Sequence, residues 1–167
     1  MGRMGMTIRF LRNKVVEVEP LSDGSLAVSW RLTDELLKAE VDLRVQPPDL
    51  EIVEAKVELT RFPLKEWASA PELIKKVEGV RVGPGLRKIV AGLLGGPQGC
   101  PLLVHAVLEA SNAVILHFTR PGLQAAEGIE DQALIAATRE MLRANPRLVR
   151  SCIAFQDDSP IMQGLDL

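Results

Sequence analysis

The residue types best suited to chemistry fall close together around position 100. Cys100 follows Gly99 and precedes Pro101, and proline is favoured in the first turn of a helix. A thiol at a helix start is stabilised as thiolate by the helix dipole, which suits a nucleophile or a soft-metal ligand. Free cysteine is also among the most buried residue types, so a packed side chain is the simpler reading. His105, Glu109 and Asn112 follow at helical spacing and share one face. Such a face could present an imidazole and a carboxylate as an acid/base pair or as two metal ligands. Two ligands make no zinc site, and a solvated face or a His–Glu hydrogen bond accounts for the stripe more simply. His117 lies off the stripe and reads as an end-of-helix residue favoured by the dipole.

The glycines form the second cluster. Gly83-Pro84-Gly85 and Gly95-Gly96-Pro97-Gln98-Gly99 lie where two helices begin. Glycine permits positive φ or close backbone approach, and helix N-termini offer free amides to an anion. Two tight interhelix turns are the bland alternative. Neither a Walker loop nor a dinucleotide fingerprint is present, because no Gly-Lys-Ser/Thr follows and no βαβ unit surrounds the glycines. Arg61, Arg81, Arg87 and Lys88 could gather near these turns, or be scattered surface cations. The candidate binding set is therefore Cys100, Gly83, Gly85, Gly95, Gly96, Gly99, Arg81, Arg87, His105 and Glu109. No catalytic set and no metal set is complete. Trp30 and Trp67 read as core or rim.

These residues need a scaffold, and the hydrophobic pattern outlines one. Lys14–Glu19 is rich in valine, and Ser22-Asp23-Gly24 supplies a turn. Ser25–Leu32 alternates, with Leu26, Val28, Trp30 and Leu32 on one face. Val41, Leu43 and Val45 alternate again, and Gln46-Pro47-Pro48-Asp49 breaks the run. The next strand runs to Phe62, with Val53, Ala55, Val57 and Leu59 set against Ile52, Glu54, Lys56 and Glu58. Four closely spaced strands predict an antiparallel meander over 14–62.

Helices follow over 69–144. A short one starts at Pro71 and closes at Gly79. A second runs from Pro84 through Leu86, Ile89, Val90, Leu93 and Leu94, with Arg87 and Lys88 outward. The third runs from Cys100-Pro101 to about Phe118 and ends at Arg120-Pro121-Gly122. It is apolar around most of its circumference, which predicts a central helix lying on the sheet. A fourth, Glu130–Ala144, turns Ala133, Leu134, Ala137, Met141 and Leu142 inward. Leu148-Val149 and Cys152–Phe155 read as an edge strand with Cys152 packed, and 156–167 as a frayed tail. Strands followed by helices predict an α+β fold, with residues 1–167 as one domain.

Bulk properties narrow the classes. The chain has 167 residues, 47% hydrophobic and 25% charged, with 4% aromatics and no tyrosine. A net charge of −2 argues against nucleic-acid binding, which needs a basic surface. Two cysteines make no disulfide framework and fit a reducing compartment. No continuous apolar run of membrane-spanning length appears, so no membrane partner is expected. The opening Met1–Met6 lacks the apolar core of a signal peptide, its three methionines leave the start uncertain over 1–13, and the expected location is cytoplasmic.

Val80-Arg-Val-Gly-Pro-Gly-Leu-Arg-Lys-Ile-Val90 and Leu94-Gly-Gly-Pro-Gln-Gly-Cys-Pro-Leu-Leu103 resemble the signature of the bacterial domain of unknown function family 2889. The resemblance covers roughly 14–118 and implies that the strands belong to the same domain. The family pattern reads Gly-Cys-Thr-His-Leu with Glu shortly after. Gly99-Cys100 match it, while Pro101 and Leu102 replace Thr and His, and His105 stands in place of Glu. The family often has a further cysteine after the sheet, where this chain has Leu64-Lys65-Glu66-Trp67. Only Cys100 and the glycines carry over. The order of strands and helices is also similar to the NifU/SufE-type iron–sulfur scaffold fold. Those scaffolds use three clustered cysteines, and this chain offers one.

The expectation is a non-catalytic accessory or ligand-binding protein of the cytosol, without a cofactor, leaning away from an enzyme. Its partner would be another protein or a small anion. The alternatives are thiol or metal chemistry at Cys100, including an iron–sulfur cluster, and a structural homo-oligomer.

Overall fold

A computed structural model describes residues 10–125, 128, 130–144, 149–150 and 152–165. The fold is α+β: a four-stranded antiparallel sheet followed by helices. Its strands are β1 (Asn13–Pro20), β2 (Leu26–Thr33), β3 (Lys38–Gln46) and β4 (Glu51–Arg61), paired in sequence order. The helices are α1 (Ala70–Ile74), α2 (Leu86–Leu94), α3 (Pro101–Ala125) and α4 (Asp131–Ala144). Short 3-10 segments at Lys65–Ser69 and Lys75–Val77 flank α1. The chain divides into two compact units, Met1–Phe118 and Thr119–Leu167.

In the first unit the alternation of β2 and β3 works as the sequence predicts. Leu26, Val28, Trp30 and Leu32 are buried, as are Ala39, Val41, Leu43 and Val45. The side chains of a strand alternate between faces, so one face of the sheet becomes continuously apolar. Leu86, Val90 and Leu94 of α2 and Leu103, Ala106, Val107, Ala110 and Val114 of α3 join the same buried cluster. On a helix those five α3 positions form one stripe. Each fully buried Leu or Val there contributes about 1.5–3 kcal/mol.

Several expectations need correction. Val53 faces solvent, 43% exposed, while Ile52 is buried. Arg44 pairs with Glu54 but Val45 pairs with Ile52, so Val53 is the extra residue of a bulge, which shifts the inward set by one position. Ile89 of α2 is exposed rather than inward. In α3 only one side enters the core, and Ile115, Leu116 and Phe118 are exposed. The segment Pro101–Phe118 is long and apolar enough, by length and composition, to cross a membrane, with mean hydropathy 1.4. In this fold its Leu103–Val114 stripe is spent on the sheet. The helix also continues through Arg120-Pro121-Gly122 to Ala125. Proline removes one hydrogen-bond donor, but its fixed φ is helical, so the helix loses a bond without having to stop.

The second unit contains α4 and a run of turns. Leu142 is buried, whereas Ala133, Leu134, Ala137 and Met141 are exposed, and Ile135, Thr138 and Arg139 are half-buried. The inward side of α4 is thus rotated from the expected one. Arg139 is responsible for part of this. Its Nε donates to the Ile161 carbonyl at 2.9 Å and its Nη2 to those of Pro160 (3.1 Å) and Gln163 (2.6 Å). Residues 156–165 accordingly form consecutive hydrogen-bonded turns with Met162 buried, where a frayed tail was expected. Ile153–Phe155 is a 3-10 turn and not an edge strand, and Cys152 is exposed rather than packed. Leu148 lies outside the described residues.

Candidate functional site

The predicted site residues separate into three places in the first unit. The first is an open groove of about 680 Å³ whose lining includes Lys14 and Val16 of β1, Arg87 of α2, and His105, Leu108, Glu109, Asn112 and Leu116 of α3. The His105–Glu109–Asn112 stripe therefore faces β1, one position round from the buried stripe.

Glu109 anchors the groove. Its Oε2 accepts the indole N–H of Trp30 at 2.5 Å, and its Oε1 pairs with the Lys14 ammonium. Trp30 is only 1% exposed, so its N–H would otherwise be buried without an acceptor. Partial burial pushes the Glu109 carboxyl upward. The hydrogen bonds from Lys14 and Trp30, the Lys14 charge and His105 outweigh that, so its pKa lies below the ordinary value. Glu109 is thus a held carboxylate, with both oxygens engaged. Arg87 is exposed and makes no hydrogen bond or ion pair among the described residues. Lys14 escaped the sequence reading. The available signal was a lysine on the Val16–Val18 face of its strand.

The second place is an open groove of about 710 Å³ at the β3–β4 turn, whose lining includes Asp49, Leu50, Arg81, Gly83 and Ile89. Arg81 Nη2 lies 3.8 Å from the Asp49 carboxylate, a solvent-exposed ion pair. Gly85 caps α2 with φ +83, a conformation glycine adopts without strain. Arg61 lies elsewhere, donating to the Asp34 carbonyl. Arg61, Arg81 and Arg87 thus stand at three separate places.

The third place is the α2–α3 connection, with Gly95, Gly96, Gly99 and Cys100. A Cβ on Gly99 would sit 2.2 Å from the carbonyl oxygens of both Leu94 and Gly95. Gly99 is therefore demanded by close backbone approach and is no cradle. The Cys100 N–H donates to the Leu94 carbonyl at 2.7 Å. Cys100 is 6% exposed and lines, with Trp67 and Gln98, a small cavity of about 180 Å³. Both cysteines are free thiols. Among the described residues no three His, Cys, Asp or Glu side chains group to hold a metal. A buried Cys100 does not fit an iron–sulfur scaffold, which needs several thiolates together. His117 lies within α3 and packs edge-on against Phe118, with ring centroids 5.5 Å apart, because the helix continues past it.

Residues 34–116 match the family model described as Protein of unknown function (DUF2889), and through that segment the chain belongs to this family. The segment takes in β3, β4, α1, α2 and α3 as far as the groove, and begins after β1 and β2. No curated protein and no solved structure matches the chain.

Proposed function

We propose that the chain is a non-catalytic binding protein of the cytosol whose groove between β1 and α3 takes an anionic ligand. One observation carries the reading. Arg87, unpaired among the described residues, stands with His105 and Asn112 over an apolar floor that includes Val16 and Leu108. An apolar groove with a few convergent polar groups is the usual form of a binding site. A guanidinium with free donors favours carboxylate or phosphate over neutral ligands.

The chemistry of the lining supports binding over turnover. Among the described residues of the lining the only carboxylate is ion-paired and held ionised, which makes it a poor proton donor. Among the described residues the lining includes no hydroxyl or thiol nucleophile. Thiol chemistry would require Cys100 to be reachable, and its burial argues against that. Two free thiols fit a reducing compartment.

The test is a titration with succinate and with inorganic phosphate, followed by two-dimensional NMR of the backbone amides. Saturable shifts at Arg87, His105 and Asn112 that vanish in Arg87→Ala are the expected result. Shifts that rise without saturation, or persist in the variant, would overturn the reading.

A further inference from the structure

The two edges of the sheet are treated differently. The outer edge of β4 is covered over its first half, as far as Ala55. Ile52 N–H donates to the Val80 carbonyl (2.8 Å), Gly79 N–H to Ile52 (2.8 Å) and Val82 N–H to Leu50 (2.9 Å). The Ala55 N–H reaches Glu78 Oε1 at 3.1 Å. β1 pairs only with β2, and among the described residues no backbone hydrogen bond reaches its other side. Alternate N–H and C=O groups of β1 therefore point outward, as a template for another strand. Lys14 and Val16 stand on the face of the sheet that carries α3, and both line the groove.

We propose that the free edge of β1 takes an extended peptide bearing a carboxylate, added as a fifth strand. This rests on the anionic reading of the groove and names the class of its ligand. A fifth strand lies about 4.8 Å from β1, along the mouth of the groove. Its backbone satisfies the outward amides of β1, as in strand-addition complexes. Its side chains on the helical face project between β1 and α3. Apolar ones meet Val16 and Leu108, and a carboxylate meets Arg87 and His105.

Charge decides between this occupant and a second copy of the chain. The helical face of β1 carries Lys14, Val16 and Val18, while Glu17 and Glu19 stand on the opposite face, where Glu17 pairs with Arg31. Two β1 strands paired antiparallel about a two-fold axis keep their helical faces on the same side. In such a pairing the second β1 itself brings no carboxylate to the helical face. An acidic peptide does.

The test uses a short, fluorescein-labelled peptide, Thr-Val-Thr-Asp-Thr-Val-Thr, which sets valine and aspartate on one strand face, read by fluorescence anisotropy and by amide hydrogen exchange of the full chain. Three comparisons accompany it: the same peptide N-methylated at alternate backbone positions, its Asp→Asn version, and Arg87→Ala protein. The peptide should bind and protect the outward amides of β1. Each of the three changes should weaken binding about tenfold or more, as loss of a charge-assisted or ladder hydrogen bond implies. Equal binding of the N-methylated peptide, or no added protection in β1, overturns strand addition. If succinate still titrates Arg87 and His105 in that case, the groove reading stands. If neither ligand binds, both fail. Protection of β1 that grows with protein concentration alone assigns the edge to a second copy and also overturns the proposal.

Discussion

Glu109 does two jobs with two oxygens, and they are separable by substitution. The Trp30 bond is made by a buried donor, while the Lys14 pair is partly solvated. Exposed ion pairs are worth about 0–1 kcal/mol, but a buried donor left unsatisfied costs about 1–3 kcal/mol. Glu109→Ala should therefore lower the unfolding free energy by about 1–3 kcal/mol, measured by urea denaturation. Glu109→Gln keeps an acceptor for the indole and should recover most of that loss. Equal losses in the two variants would show that the charge, and not the acceptor, matters. Lys14 and Glu109 lie 95 residues apart, which is why half of the groove was hidden in the sequence. The helical stripe of His105, Glu109 and Asn112 is a local pattern and was legible. Its partner on β1 depends on which strand lies beneath α3, and no local spacing encodes that.

At the scale of elements, the connection between α2 and α3 has no room for a side chain at Gly99. A methyl group at Gly99 meets two backbone oxygens at 2.2 Å, and neither can swing away as a flexible side chain would. Gly99→Ala should cost about 2 kcal/mol or more, read as a lowered Tm, whereas Gly96→Ala meets no such atoms and is strained only by its φ of +79. A Gly99→Ala protein as stable as the parent would mean that the connection is looser than described. The same contrast shows what strands and helices disclose beforehand. The alternation of β2 is uninterrupted, so its faces read directly. In β4 the extra residue Val53 is invisible to a period of two, and only pairing with β3 reveals it. The rotated face of α4 depends on Arg139 reaching three carbonyls of the C-terminal turns, a contact that a hydrophobic pattern does not contain.

For the molecule as a whole, the acid limb of stability follows from its held carboxylates. Asp34 is buried. Burial pushes its pKa up, but the N–H groups of Leu37 and Leu36 (2.7 and 2.8 Å) and the Arg12 guanidinium (2.7 Å) outweigh this and hold it below its ordinary 3.8. Glu109 lies below its ordinary 4.5. A depressed folded pKa gives stability that is present above the unfolded value and lost as pH falls through the folded one. The urea midpoint should therefore decline as pH falls below about 4.5, and continue to fall below 3.8. Asp34→Asn should flatten the lower part of that decline, and an unchanged slope would exclude Asp34 as a contributor. The two thiols carry a practical consequence. Cys152, exposed in the second unit, and Cys100, closed over in the first, differ in access and not in number of bonds. Under native conditions a maleimide dye should couple once per chain, at Cys152, and a second time only in denaturant. That natural asymmetry makes a site-specific reporter available on residues 119–167 with no engineered mutation, and mass spectrometry of the labelled tryptic fragments checks it directly.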